Sequence, residues 1–307
     1  MASFEINSNN LASLNSITQT NQKDSLGAFL KGSSDTLQKG SFASSDTSKI
    51  SNQENRFVNN DSLAQVMAGK KSLTLKSKGD DVKLVQEALN DLGFYTGDVA
   101  DGKFGNQTVV AIKNFQDSRN LPVTGILDKQ TMTELSDVAP PPSKKLWEMG
   151  ANSNSKKLYP SNDLGNNLKA RAVVDLSEHR LFLYNKDGSL KKVYSVATGK
   201  NGNPDGLGGE TTPGIKKLMS KNDDPTAVSW KLWPESKGRA FGTKLMDLSF
   251  FDPKTKKVTR SGQELHGTYT NSSIGTNASH GCMRMLNKDV EEVYGELNLN
   301  DIVDVRK

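Results

Sequence analysis

Cys282 is the one cysteine of the 307-residue sequence, and two of its three histidines, His266 and His280, stand sixteen and two positions before it. A thiol of ordinary acidity is mostly protonated near neutrality. An imidazole that takes its proton, or lowers its pKa as imidazolium, supplies the thiolate needed for nucleophilic acyl transfer. The run Ser279-His280-Gly281-Cys282-Met283-Arg284 suits that chemistry. Gly281 removes a side chain beside the nucleophile, so the N–H groups of Gly281 and Cys282 are expected to be free to approach a developing oxyanion. In an extended segment His280, Cys282 and Arg284 share one face, where the planar fork of Arg284 can hold a substrate carboxylate or serve a structural ion pair. Either His266 or His280 can be the base on these grounds. A lone cysteine is more often a small buried hydrophobe, and it is the company of two histidines that favours catalysis here.

The elements that must position these residues are β-strands. Ala172–Leu176, Arg180–Tyr184 and Lys192–Val196 are β-branched and aromatic runs, and Asn185-Lys186-Asp187-Gly188 is a hairpin signal between the second and third. Further strands are expected over Ala227–Leu232, Leu245–Phe250 and Ile302–Arg306, with a short helix at Lys288–Leu297. The aromatic-rich stretch from Trp230 to Phe251 is expected to supply part of the core and a lid over the cleft, with Trp230 and Trp233 themselves in the core, and His179 is expected on the surface. Gly206–Gly209 lacks the strand-to-helix frame of a phosphate loop and is expected to be a mobile loop.

The first half of the chain has a different texture. Residues 1–71 are rich in Ser, Asn and Thr, carry Lys/Arg and Asp/Glu in equal number up to Lys70, and are expected to form a mostly disordered tail. From residue 72 to 138 short helices are punctuated by glycine loops. Asp80 or Asp81 is expected to cap a helix bearing Val82, Val85 and Leu89; Asn106 caps one bearing Ala111, Ile112 and Phe115; Asp128 caps one bearing Met132 and Leu135. Ala139-Pro140-Pro141-Pro142 then opens a stiff, extended linker over 139–167, in which Leu146, Trp147, Leu158 and Tyr159 can pack against a neighbour.

Two resemblances follow from these residues. Leu75-Lys-Ser-Lys-Gly-Asp-Asp-Val82, Leu84-Val-Gln86, Asp101-Gly102-Lys-Phe104-Gly105, Phe115-Gln116 and Leu121-Pro-Val-Thr-Gly125 together resemble the three-helix peptidoglycan-binding module of bacterial wall enzymes. His266-Gly267-Thr268 with Ser279-His280-Gly281-Cys282 and Arg284 resembles the signature of the L,D-transpeptidase (YkuD-like) catalytic domain over 168–307. Thr198-Gly199-Lys200 and Thr211-Thr212-Pro213-Gly214 stand where that family has its TGK-like and TPxG-like turns. The implied fold is multidomain α+β, a small three-helix module followed by a β-rich catalytic domain. The implied site has Cys282 as nucleophile and His266 as general acid/base oriented by the Gly267 carbonyl, with His280 shaping the pocket. Gly281, Gly267 and Ser279 take oxyanion-stabilising or orienting roles, and Arg284, Thr268 and Tyr269 bind substrate.

The resemblance implies 3→3 cross-linking of peptidoglycan stems through a Cys282 thioester, with D-alanine leaving and no metal or organic cofactor. The alternatives are a carboxypeptidase or D-amino-acid exchange enzyme acting on the same stems, or a non-catalytic wall-binding protein. Composition narrows the partners. The net charge of +5 and pI near 9.0 lean mildly toward an anionic partner, but no Lys/Arg blocks interleave with aromatics, so nucleic acid is not expected. A single cysteine excludes an internal disulfide, and the absence of HExxH argues against a catalytic metal. No run reaches the ~18–20 apolar residues of a membrane span. The N-terminus lacks the order of a secretory signal peptide, which leaves the route to a cell-wall, periplasmic or extracellular location open.

Overall fold

The computed structural model describes residues 55–95, 97–149, 159–200 and 209–307, all within one compact unit spanning 49–307. Residues 1–54, and with them most of the expected tail, lie outside the described residues, as do 150–158 of the linker and 201–208, which hold Gly206 to Gly208.

Four helices build the first module. They are α1 (Asp61–Met67), α2 (Asp80–Asp91), α3 (Asn106–Ser118) and α4 (Lys129–Val138). The first of them corrects the sequence reading, which placed its residues in the tail. Asn60 accepts the Leu63 N–H as a true N-cap, and Leu63 and Val66, one turn apart, are fully buried. Asp128 caps α4 as expected, accepting from Thr131 N at 2.9 Å. The other caps are displaced by one residue. Gly79 and Gly105 hold the cap positions, and Asp80, Asp81 and Asn106 already lie in the first turns, where the two carboxylates face the positive end of the helix dipole.

Two buried glutamines close the module's loops in the same way. The Gln86 amide donates to Lys103 O and Thr108 Oγ1 and accepts from Gly102 N. Gln116 donates to Ile126 O and Thr131 Oγ1 and accepts from Thr124 N and Gly125 N. Each pins a glycine turn to the start of the next helix and satisfies backbone groups that burial would otherwise leave unpaired.

The second domain is an eight-stranded sheet. Its strands are β1 (Ala172–Asp175), β2 (Arg180–Tyr184), β3 (Leu190–Ser195), β5 (Gly214–Asn222), β6 (Leu245–Phe251), β7 (Val258–His266), β9 (Met283–Arg284) and β10 (Ile302–Arg306), in the order β3-β2-β1-β10-β5-β6-β7-β9. Strands β4 (Thr198–Gly199) and β8 (Asn277–Ser279) form a separate parallel pair. Alternation assigns the two faces. Ala172, Val174, Leu181, Leu183, Val303 and Val305 join Val290 and Val293 of α6 (Asn287–Glu296) in one core. Val173, Phe182, Tyr184, Val193 and Ile302 face the other way and pack with the module's Leu89, Leu92 and Phe94.

The expected spacer is therefore not a gap between independent beads. Arg56 donates to the carbonyls of Pro140 and Pro141 and pairs with Asp91, which also binds Lys145. Leu146 is buried in a 3-10 turn over Leu146–Glu148. Across the junction Arg180 donates to Leu92 O at 2.9 Å, Ser195 Oγ donates to Gly93 O, and Asn114 donates to Gly275 O. Two further expectations are corrected. Thr226–Leu232 is a helix, α5, rather than a strand, and Trp230 on it is 51% exposed. His179 is buried in the turn between β1 and β2 at φ +53°, with Nδ1 3.2 Å from Thr198 Oγ1. Among the described residues no helix is long and apolar enough to cross a membrane.

Candidate active site

The site grows from one pair of neighbouring strands. β7 and β9 run parallel with Leu265 beside Met283 and His266 beside Arg284. Leu265 and Met283 enter the core, so His266 and Arg284 point to the opposite face, where residues two positions earlier, Glu264 and Cys282, must also lie. The contact is direct: the Cys282 thiol donates to Glu264 Oε2 at 2.7 Å.

His266 is 3% exposed and held from three sides. Its Nδ1 is 2.6 Å from Gly267 O, its own carbonyl accepts from Met285 N, and the Phe241 ring meets it edge-on at 4.9 Å. A carbonyl can only accept, so Nδ1 carries the proton and Nε2 is the basic nitrogen. Burial first, then the nearby Arg284 cation, depress the imidazole to about 3, against the backbone hydrogen bonds of Gly267 and Phe241. The thiol is pushed up, by burial first and then by the Glu264 carboxylate. Glu264 is itself raised, chiefly by burial. The resting pair is consequently a neutral thiol and a neutral imidazole.

The turn that presents Cys282 is clamped by the two motifs upstream. The Thr211 hydroxyl accepts from Gly199 N at 2.7 Å and donates to Gly281 O at 2.9 Å. A side chain at Gly199 would place its first carbon 2.3 Å from Gly209 O and 2.7 Å from Gly281 Cα, both backbone atoms, so only glycine fits. Gly281 adopts φ +113°, a conformation L side chains rarely take. The Ser279 hydroxyl bridges the turn, accepting from Gly281 N at 3.2 Å and donating to Cys282 O at 2.5 Å. That engages the Gly281 N–H, which the sequence reading left free for an oxyanion.

A cavity of about 240 Å³ opens at this point, lined by Cys282, His266, His280, Arg284, Thr268 and Tyr269 together with Trp233, Glu235, Ser236 and Phe241. His280 is half-buried, its ring 6.5 Å from that of Trp233. Thr268 is buried and its hydroxyl accepts from Thr270 N, a turn-building bond, while Tyr269 stands 52% exposed at the rim with Arg239 over its ring. Arg284 donates through Nη1 to Ala278 O, its Nε has no partner, and among the described residues it pairs with no carboxylate. The ion-pair role for Arg284 thus finds no partner there. Trp233, expected in the core, is instead half-buried at the cavity wall, edge-on against Phe241, a correction to the sequence reading.

Glu264 is the residue the sequence reading passed over. Its signal is position alone, two residues before His266 on a strand of period two.

A sheet that sets a thiol, a buried imidazole and a guanidinium on one face brings together the groups that cysteine acyl transfer requires. Comparison with known proteins specifies it further. Residues 169–305 match the L,D-transpeptidase catalytic domain, YkuD, and residues 78–135 match the peptidoglycan binding domain. The chain thus carries a YkuD L,D-transpeptidase catalytic domain behind an N-terminal peptidoglycan-binding domain.

Among curated proteins it is similar to the N-acetylmuramoyl-L-alanine amidase CwlM of Mycobacterium tuberculosis, at 46% identity over 57 residues, 19% of this chain and 14% of that protein's length. Among solved structures it is similar to the L,D-transpeptidase of Xylanimonas cellulosilytica (19% identity, 76% of this chain and 97% of that one, TM-score 0.44). It is also similar to that of Stackebrandtia nassauensis (22% identity, 76% and 95%, TM-score 0.35).

Proposed function

We propose that the protein is a peptidoglycan L,D-transpeptidase that acts at the wall or in the periplasm and forms 3→3 cross-links. The observation that carries this reading is the convergence of Cys282, His266 and Arg284 on one cavity, in a YkuD domain docked against a peptidoglycan-binding domain.

The donor is a tetrapeptide stem. Arg284, with Nε unpartnered, receives its terminal carboxylate. With the stem seated, Nε2 of His266 takes the thiol proton as sulfur attacks the carbonyl of the third residue, so that no free thiolate–imidazolium pair has to form beforehand. The developing oxyanion falls to the Cys282 N–H, since the Gly281 N–H is held by Ser279. The imidazolium returns its proton to the departing D-alanine, leaving a thioester on Cys282. An amine of a second stem then attacks that thioester and restores the thiol. The low basicity of resting His266 and the weak acidity of resting Cys282 make this proton transfer a step that substrate must drive. The module at 72–138 is assigned to hold the glycan–peptide polymer near the site, and residues 139–149 to seat it on the sheet.

Incubation with disaccharide-tetrapeptide and separation of the products test the assignment. Cross-linked dimer with one D-alanine released per bond is the expected outcome. Free tripeptide alone, or stems with an exchanged terminal residue, would replace it with the trimming or exchange reading.

A further inference from the structure

In the donor half as proposed, Glu264 only accepts the resting thiol's hydrogen bond, which gives way when His266 takes the proton, yet it is the group in contact with the nucleophilic atom. Its Oε2 lies 2.7 Å from Cys282 Sγ, and it is not among the residues lining the cavity that His266 and Arg284 share with the thiol. It therefore reaches sulfur from outside the donor cavity. Once Cys282 is acylated the thiol proton is gone. The carboxylate then loses its donor at a point one hydrogen-bond length and one covalent bond from the acyl carbon. An acceptor amine is a cation near neutrality and must shed a proton before it can attack. A carboxylate vacated by acylation itself is suited to both needs.

We propose that Glu264 is the acceptor-side catalytic base, drawing the ammonium group of the incoming nucleophile to the Cys282 thioester and taking its proton. The inference rests on the transpeptidase reading above and deepens it by naming the acceptor as a cationic amine. One proton passes from the ammonium to Glu264. The nitrogen lone pair forms the new C–N bond, the C–S bond breaks, and sulfur leaves with the electron pair. The second nitrogen proton goes by way of His266 to sulfur, restoring the thiol, and Glu264 releases its proton to solvent. Ammonium, thioester and carboxylate thus become amide, thiol and carboxylic acid, with charge conserved. Burial, which raises the Glu264 carboxyl, makes it a better proton acceptor than an exposed glutamate.

The test separates the two halves of the reaction. Wild-type enzyme and Glu264→Gln are acylated with tetrapeptide stem, and the adducts are challenged at pH 7.5 with Nα-acetyl-lysine, whose one amine is cationic, or with hydroxylamine, which is neutral. Glu264→Gln is expected to acylate, to release its adduct to the lysine about 100-fold more slowly than wild type, and to release it to hydroxylamine within about two-fold of wild type. Equal release to the lysine would overturn the proposal. So would equal slowing toward both nucleophiles, which marks a residue that only positions sulfur, or failure of a folded variant to acylate. Should Glu264→Gln not fold, Glu264→Asp takes its place: slowing toward the lysine alone supports the base, and equal rates overturn it. A wild-type enzyme that forms no adduct at all would instead remove the transpeptidase reading and this inference with it.

Discussion

Replacing Arg180 by Met should cost about 3–4 kcal/mol and separate the unfolding of the two domains. Arg180 is 1% exposed, and its guanidinium stands at the junction, with Nη1 on Leu92 O, Nε 2.8 Å from Glu178 Oε2, and its carbon 4.2 and 4.7 Å from the Phe94 and Phe182 ring centres. Methionine fills much of the same volume but supplies neither donors nor charge. Removing one partner of a buried ion pair costs ~3–5 kcal/mol, and leaving a buried carbonyl unpaired costs ~1–3 kcal/mol. These do not add, and the Glu178 side chain keeps 18% exposure, so the lower part of the first range applies. Glu178, already raised by burial, is left without its compensating cation, so Glu178→Gln in the Arg180→Met background should recover about 2 kcal/mol. Urea unfolding followed by tryptophan fluorescence and by circular dichroism reads both quantities. Coincident transitions in the wild type, split in Arg180→Met, are the expected pattern. A loss below about 1 kcal/mol, or no recovery in the double variant, would refute the account of the junction as a buried charge lock.

Two other outcomes follow from the packing. A chain beginning at residue 72 loses Leu63, Val66, Phe57 and the Arg56–Asp91 pair, all buried, and should melt at least several degrees lower than one beginning at 55; equal melting temperatures would contradict the place of α1 in the module. His179 is depressed by burial to about 4, below its unfolded value near 6.5, so the unfolded chain binds the proton first. Its contribution to stability is full above pH 6.5 and is lost as pH falls from there toward 4, about 2 kcal/mol by pH 5. Asparagine, which tolerates the positive φ at this site, should flatten that part of the stability curve, and an unchanged acid slope in His179→Asn would assign the loss elsewhere.

Much of this was legible in the sequence because it is local. The alternation that carries β1 to β3, the Asn185–Gly188 turn and the Asp128 cap each depend on residues within a few positions. The strand expected at Ala227–Leu232 failed because Val228, Trp230 and Leu232 alternate on paper while Trp230 and Leu232 stand more than half exposed on a one-sided helix. The short α1 was hidden by its polar setting, since only Leu63 and Val66 mark its face. Arg180, His179 and Glu264 were illegible for another reason: what fixes them are Leu92, Thr198 and Cys282, brought from distant parts of the chain. The motif around Cys282 marked the turn that carries the proposed nucleophile, but only the fold brings Glu264 to the thiol and hands the Gly281 N–H to Ser279.

Intact-mass spectrometry of the protein mixed with disaccharide-tetrapeptide bears most directly on the central claim, read alongside Cys282→Ala and His266→Ala. The wild type should gain the mass of the stem less one D-alanine. Cys282→Ala should gain nothing, and His266→Ala should acylate at least 100-fold more slowly. An adduct that persists in Cys282→Ala, or a wild type that cleaves the stem with no adduct traceable to Cys282, would contradict the assignment of the nucleophile.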